Sequence, residues 1–371
     1  MDIARALLSF LACFLLIGIR GGPSYGLYPK EFTQSPPKSY MGDDCSPIEF
    51  SWVITKDHQD TIRFTVEPLS CTDGSPTKST SWMATLNSLA CHGLNDQNDL
   101  TWPQICFNTL VASGNGTPIS SQHVSQFSIG ADFTRAGIVG KAYFLPHIRS
   151  QYTGVSPTEI VSECMRQLNL HSQWGKVSSY IATLPDDRCA TPEIVAVDCV
   201  HRSKNRAKIY LRTRSRNLRD LKALFTLGGA LDSPSVRESM ECFEHLWSLL
   251  FGNIAATTDL VPTNPAHYAS GFVVYFELSL NHPDPAPKIY LPVRHYCSND
   301  ETIGNALAKY YKDIGNEEIS KKYVKCIQEI FCHRPLSLRT GIHTYVGCAA
   351  RKNGAQVSIY YSPEVFAPER I

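Results

Sequence analysis

No strong net charge, no paired-cysteine motif and no apolar run of membrane-spanning length marks this sequence of 371 residues. A formal charge of +1 supplies no overall field for nucleic acid or anionic lipid, so affinity for a phosphorylated partner has to come from locally placed cations. The 13 cysteines include no CxxC pair and no zinc-type spacing, which argues against a disulfide framework or metal knuckle and for buried thiols of a reducing compartment. No Pro/Ser-rich linker divides the chain, and an apolar fraction of 43% is enough for one large core.

The longest apolar stretch, Ala6 to Ile19 behind Arg5, has the layout of a secretory signal but is short for a span. Gly21-Gly22-Pro23 follows it, as at the end of a packed helix, and that reading is preferred over a signal, an anchor or a misplaced start. Residues 1–35 are therefore set apart as an apolar N-terminal segment and 36–371 as a single domain, with a cytoplasmic location expected and a secretory or membrane alternative. The Asn115-Gly116-Thr117 sequon adds little to that alternative, because such triplets are frequent by chance.

Strand-like runs come in adjacent pairs separated by short polar turns: PIEFSWVI with TIRFTVEP, QFSIGADF with GIVGKAYFLP, EIVAVDCV with RAKIYLRT, GFVVYFEL with KIYLPVRHY, and IHTYVGCAA with QVSIYYS. Helical spacing appears over Ser79 to Ala90, Pro157 to Leu168, Asn217 to Leu227, Val236 to Leu250, Glu301 to Ile314 and Glu318 to Phe331. Ser156-Pro157 and Ser298-Asn299-Asp300 look like helix starts, Gly228-Gly229 and Gly252 like stops. Five hairpins with intervening helices define an α+β protein, either an open sheet or a ten-stranded antiparallel closed β-barrel surrounded by helices. Closure removes the exposed edges and creates an interior wide enough for a ligand.

The second strands share a register. Lys141-Ala142-Tyr143, Lys208-Ile209-Tyr210, Lys288-Ile289-Tyr290 and Ser358-Ile359-Tyr360 recur roughly 67 to 80 residues apart, and Arg63-Phe64-Thr65 holds the equivalent place in the first hairpin. Residues two apart on a strand face one side, so each cation and its tyrosine project together, with Arg206 in the same set and Tyr345 and Arg351 in the last hairpin. Solvated lysines on the outer barrel face would need no tyrosine in phase with them. Several cations in a closed lumen repel one another unless an anion is present, and a diphosphate would satisfy them. Tyrosine faces beside them suit an organic cation, which they stabilise and keep from water. Glu49, between Ile48 and Phe50, falls on the opposite face from both and either pairs with a lumen cation or awaits a substrate N–H.

With SPIEFSW, IRFTVEP, KAYFLP, RAKIYLRT followed by TLGG, PKIYLPVRHY with SND, and the pair around Tyr345 and Tyr360 in order, the chain resembles the fungal dimethylallyltryptophan synthase family of aromatic prenyltransferases over about residues 38 to 363. The resemblance implies the ten-stranded prenyltransferase barrel and transfer of a dimethylallyl group from dimethylallyl diphosphate to an aromatic acceptor such as an indole alkaloid, cyclic dipeptide or indole diterpene. It implies that Glu49, with Ile48 beside it, holds the acceptor N–H. Arg63, Lys141, Arg206, Lys208, Lys288 and Arg351 would bind diphosphate, and Tyr143, Tyr210, Tyr290, Tyr345 and Tyr360 would shield the allyl cation. No metal or other cofactor is implied, and Asn95-Asp96-Gln97-Asn98-Asp99 reads as a polar loop rather than an aspartate-rich metal motif. The expected partners are the prenyl diphosphate and a small aromatic acceptor, with no nucleic acid and a homodimer left open. Ser128 stands where tryptophan-specific members that alkylate the six-membered ring can carry a lysine, and Leu145 where some have a further tyrosine. The competing reading is a catalytically impaired barrel that binds an amphipathic phosphorylated small molecule.

Overall fold

The structure, a computed structural model, describes residues 39–54, 61–68, 99–112, 125–134, 137–351 and 354–370. Ten strands occur in chain order: β1 (Ile48–Ile54), β2 (Thr61–Val66), β3 (Phe127–Thr134), β4 (Gly137–Phe144), β5 (Ala190–Asp198), β6 (Ala207–Thr213), β7 (Phe272–Ser279), β8 (His282–Leu291), β9 (His343–Arg351) and β10 (Gly354–Tyr361). Each is antiparallel to the next, and β1 also pairs with β10, so the sheet closes into the barrel that the hairpin pattern predicts.

The two-residue period sorts the side chains. On β6, Ala207, Ile209 and Leu211 are fully buried in the layer shared with the helices, whereas Lys208, Tyr210 and Arg212 line the interior. A second, smaller apolar cluster lies inside, built from Val273, Tyr275 and Tyr290 with Tyr210, Tyr345 and Tyr360 against them.

Eight helices are described: α1 (Thr101–Leu110), α2 (His147–Thr153), α3 (Pro157–Gln167), α4 (His171–Ile181), α5 (Leu218–Phe225), α6 (Pro234–Phe251), α7 (Asp300–Asp313) and α8 (Glu317–Ile330). Ser156 opens α3 with a capping box to Glu159, and the Asn299 side chain accepts from the Thr302 N–H to open α7. α6 packs on β8, β9 and β10 and buries Phe243, Leu246 and Trp247, each side chain contributing about 1.5–3 kcal/mol by burial. Gly252 ends it in the left-handed region, at φ 86°.

Three helices, α1, α2 and α4, were not expected from the sequence. The expected helix at Ser79 to Ala90, the apolar run at 6–19, the sequon and nearly all of Asn95 to Asp99 lie outside the described residues. Among the described residues no helix is long and apolar enough to cross a membrane, and none of the ten cysteines forms a disulfide.

Candidate active site

The barrel interior holds a cavity of about 1150 Å³, its open mouth included. At one end stand the expected cations. Arg63, Lys141, Arg206, Lys208 and Arg351 all line the cavity, and Lys141 and Lys208 are almost fully buried.

They do not stand alone there. Asp198 accepts from Lys141 at 2.6 Å, Lys208 at 2.8 Å and Arg206 at 2.7 Å. Asp132 meets Lys141 at 3.1 Å and Arg63 at 3.2 Å, and Glu277 meets Arg351 at 3.2 Å and Arg206 at 3.4 Å. The expectation that these cations lack a counter-charge until an anion arrives is therefore corrected: the fold supplies three carboxylates. Burial opposes ionisation of Asp132 and Asp198, but the cations outweigh it and hold both below the usual carboxylate range. Glu277 is likewise lowered to about 2, with Arg351 and Arg206 overcoming its burial.

The acids follow the register. Arg63 on β2 lies directly opposite Asp132 on β3, Lys141 on β4 opposite Asp198 on β5, and Lys208 on β6 opposite Glu277 on β7. At the fourth step Lys288 on β8 faces Ala349 on β9. Lys288 therefore has no carboxylate across from it, and burial, with the charges of Arg63 and Arg351, pushes its pKa well below the usual lysine value. Unlike the other expected cations it does not line the cavity. Its ammonium lies behind the tyrosines, 3.0 Å from both Ser358 Oγ and Tyr360 OH and 4.7 Å over the Tyr290 ring. The lysine's end packs against Gly347, where a Cβ would stand 2.5 Å from Lys288 Cε and would push it aside. Burial, with the neighbouring charges of Lys141 and Arg206, pushes the Lys208 pKa down to about 7 against the opposing pull of Asp198.

The tyrosines form the middle of the cavity. Tyr143, Tyr210, Tyr290, Tyr345 and Tyr360 all line it. Tyr290 centres the group, 5.7 Å from Tyr210, 5.3 Å from Tyr360 and 6.1 Å from Tyr345. Tyr275 completes it at 5.0 Å from Tyr210, its hydroxyl accepting from Arg351 Nη2. Sequence reasoning missed Tyr275 because it sits on the first strand of its hairpin, outside the Lys-x-Tyr repeat.

Glu49 reaches the cavity from β1 and accepts from Thr344 Oγ1 at 2.8 Å. Among the described residues it makes no ion pair. Burial raises its pKa to about 7, with the Thr344 hydroxyl and the Arg294 charge holding it back from rising further. Ile48, grouped with Glu49 in the sequence, turns its side chain the other way into the outer core, as strand alternation requires. Ser128 and Leu145, the two positions singled out in the sequence, both line the cavity.

Beyond Glu49 lies a polar end that the sequence analysis did not assign. A register shift between Pro192 and Ile194 lets both Glu193 and Ile194 reach the lumen. Glu193 accepts from Arg212 Nε at 2.6 Å and from the Tyr40 hydroxyl. Arg212 continues the Lys208, Tyr210 series by two and was findable on that ground. Arg294 sits just past β8, buried, with its guanidinium 5.2 Å over the Tyr345 ring.

A closed antiparallel barrel here holds a cradle of cations and carboxylates, a tyrosine sleeve and a buried Glu49 whose pKa is raised to about 7, an arrangement whose chemistry suits an anion, an electron-poor fragment and an aromatic partner. The comparisons agree with that class. The family model for tryptophan dimethylallyltransferase matches residues 22–326. A 7-dimethylallyltryptophan synthase of Aspergillus fumigatus is 31% identical over 360 residues, covering 90% of this chain and 74% of the relative. A 4-O-dimethylallyl-L-tyrosine synthase of Claviceps purpurea is 32% identical over 354 residues, covering 92% and 79%. In fold, the crystal structure of a 6-dimethylallyltryptophan synthase from Micromonospora olivasterospora, in complex with DMASPP and Trp, superposes with a TM-score of 0.73 at 17% identity, covering 99% of this chain and 98% of that one. The chain belongs to the dimethylallyltryptophan synthase family and is an aromatic prenyltransferase.

Proposed function

We propose that the protein transfers the dimethylallyl group of dimethylallyl diphosphate to an indole or phenol ring in secondary metabolism, without a metal ion. The reading rests on one observation above all: Arg63, Lys141, Arg206, Lys208 and Arg351 and the five expected tyrosines converge in one lumen beside Glu49, which makes no ion pair among the described residues. In it, Arg63, Lys141, Arg206, Lys208 and Arg351 bind the diphosphate, and Lys288 swings from behind Tyr290 and Tyr360 to join them. These fixed positive groups stabilise the departing diphosphate more than the intact ester, so the donor's C–O bond breaks with its electron pair leaving on oxygen. They supply the neutralisation that magnesium would otherwise provide.

The allyl cation left behind is held among Tyr143, Tyr210, Tyr290, Tyr345 and Tyr360, whose faces stabilise it and exclude water. A ring atom of the acceptor, held in line, attacks it. The new bond forms and a proton leaves to a base, restoring aromaticity. Glu49 accepts the ring N–H or phenol O–H and raises the ring's nucleophilicity. Support for this role comes from its burial with no ion pair among the described residues, the Thr344 hydroxyl being the donor that it meets.

The test is incubation of the purified protein with dimethylallyl diphosphate and a panel of tryptophan, tyrosine and tryptophan-containing cyclic dipeptides, with chelator present. A dimethylallyl adduct on at least one acceptor is expected. Absence of both adduct and released diphosphate with every acceptor would overturn the proposal.

A further inference from the structure

We propose that Thr344 is a positioning residue for Glu49: a β-bulge turns its hydroxyl into the barrel, where it aims the carboxylate at the acceptor and favours its ionised form. The inference rests on the prenyl-transfer reading, in which Glu49 accepts the acceptor's N–H or O–H, and adds what sets that glutamate's direction and charge.

Strand alternation by itself sends Thr344 away from the lumen. Tyr345 lines the cavity, Val346 is fully buried in the outer core and Gly347 lies inward against Lys288, so Thr344 would share the outer side with Val346. The pairing of β9 with β10 breaks that rule at one place. Ile359 lies opposite Val346 and Tyr361 opposite His343, which leaves Thr344 and Tyr345 together across from Tyr360 alone. Two residues against one make a bulge, and a bulge re-aims a side chain that regular pleating would turn away. The Thr344 hydroxyl accordingly donates to Glu49 Oε1 at 2.8 Å, although β10 stands between β9 and β1 in the sheet.

The chain leading into the bulge is clamped from outside the barrel. Asp300, at the start of α7, accepts the His343 N–H on Oδ1 at 2.8 Å and the Ile342 N–H on Oδ2 at 3.1 Å. Arg334 donates to Oδ2 at 2.6 Å, and His343 Nδ1 lies 2.9 Å from Oδ1. His343 Nε2 lies 3.0 Å from the Tyr323 hydroxyl, which in turn is 2.8 Å from that of Tyr361, just past the bulge on β10. Asp300, Arg334, His343 and Thr344 are all buried. A threonine is stiff at χ1, so a hydroxyl on a backbone held in this way has a set direction. The terminal torsion of a glutamate is broad, and pinning Oε1 fixes it with Oε2 left for the acceptor.

A hydrogen bond donated to a carboxylate favours the charged form. Burial raises the Glu49 pKa to about 7, and the Thr344 hydroxyl is foremost among the groups that restrain the rise. Arg294, just past β8, and Lys288, on β8, act in the same sense, whereas Asp43, ahead of β1, acts against them. Thr65, directly across from Glu49 on β2, brings no charge. All of these stay in place when the threonine alone is changed.

The test compares Thr344→Val, which keeps the branched shape and removes the donor, with Thr344→Ser, which keeps the donor. Loss of one hydrogen bond to a charged group should move the acid limb of acceptor kcat/KM, at saturating donor, up by about one pH unit in Thr344→Val, a drop of about fivefold at pH 7. Thr344→Ser should return the limb to its wild-type position. A merely structural threonine would lower the melting temperature or the whole profile and leave the limb where it is. The titration can also be read without turnover. Infrared difference spectra between each protein and the same protein carrying Glu49→Gln isolate the Glu49 carboxyl, whose protonated band should persist about one pH unit higher in Thr344→Val. Should the valine variant fail to fold, Thr344→Ala makes the same comparison. A limb and a band that stay in place in a folded variant without the hydroxyl, or that move as far in Thr344→Ser, would overturn the positioning role while leaving prenyl transfer standing. Absence of transfer to every acceptor, with the band shifted as expected, would count against the catalytic reading alone.

Discussion

Glu49→Gln keeps the side chain's size and its bond from Thr344 while removing the charge. The wild-type carboxyl titrates at about 7. At saturating donor, where bound diphosphate keeps the lysines protonated, the acceptor kcat/KM should follow the Glu49 carboxylate. That form makes up about nine-tenths of the protein at pH 8 and about one-tenth at pH 6, so the rate should fall roughly tenfold on acidification. The glutamine variant should lose this acid limb altogether and run about ten- to hundredfold below wild type at pH 8, the loss of one charge-assisted hydrogen bond. Stability moves the other way. A carboxyl whose pKa rises from 4.5 unfolded to about 7 folded binds its proton more tightly in the native state. Its unfavourable contribution is absent below 4.5, grows as pH rises through that window and is complete above 7, at about 3 kcal/mol. Glu49→Gln should therefore unfold at higher temperature than wild type at pH 8 and show little difference at pH 4. A variant that kept the acid limb, or that was less stable at pH 8, would refute the placement of an ionising, unpaired Glu49 in the lumen.

Other outcomes follow from the cradle. With Lys208 lowered to about 7, affinity of the empty protein for inorganic diphosphate should weaken by up to about tenfold per pH unit above neutrality, and a flat calorimetric profile would contradict this. Asp198→Asn leaves Lys141, Lys208 and Arg206 without their shared counter-charge and should destabilise the fold by about 3–5 kcal/mol, with inorganic diphosphate restoring more thermal stability than it adds to wild type. Ala349→Asp places an acid opposite Lys288 as on the other three strand pairs, and should raise the donor KM relative to Ala349→Asn, which matches its size without the charge. Tyr290→Ala opens the centre of the sleeve, so a larger share of donor should end as free prenyl alcohol, measured by product ratio.

The barrel was legible because strand alternation and hairpin spacing are local properties. The helices that escaped notice lack that local signal. α4, His171–Ile181, carries Gly175, several serines and no side-chain cap, and is held by packing and by Gln173, whose amide donates to the Ser279 carbonyl at 2.7 Å. α1 contains Pro103 and has no side-chain cap, and it is held chiefly by Trp102, Cys106 and Leu110 buried against its neighbours. Of the site, the Lys-x-Tyr repeat exposed most cations and tyrosines. Ile48 was drawn in by its nearness to Glu49 in the chain, although alternation alone sends its side chain outward.

What the chain determines by itself is which face each side chain takes, since a period of two is set residue by residue along a strand. Which groups meet across that face depends on register, on the shift at Pro192 and Ile194, and on the closure of β1 onto β10. Asp132 and Asp198 each meet cations of their own hairpin, but Asp198 also stands 57 residues from Lys141, and Glu277 stands 71 from Arg206 and 74 from Arg351; only the paired strands bring these within 3.5 Å. The same is true of Arg294, whose neighbours Asp43 and Tyr345 come from opposite ends of the described chain. Charge compensation acts over a few ångströms of space and is indifferent to distance along the sequence, so the balance of the site was decided by tertiary structure.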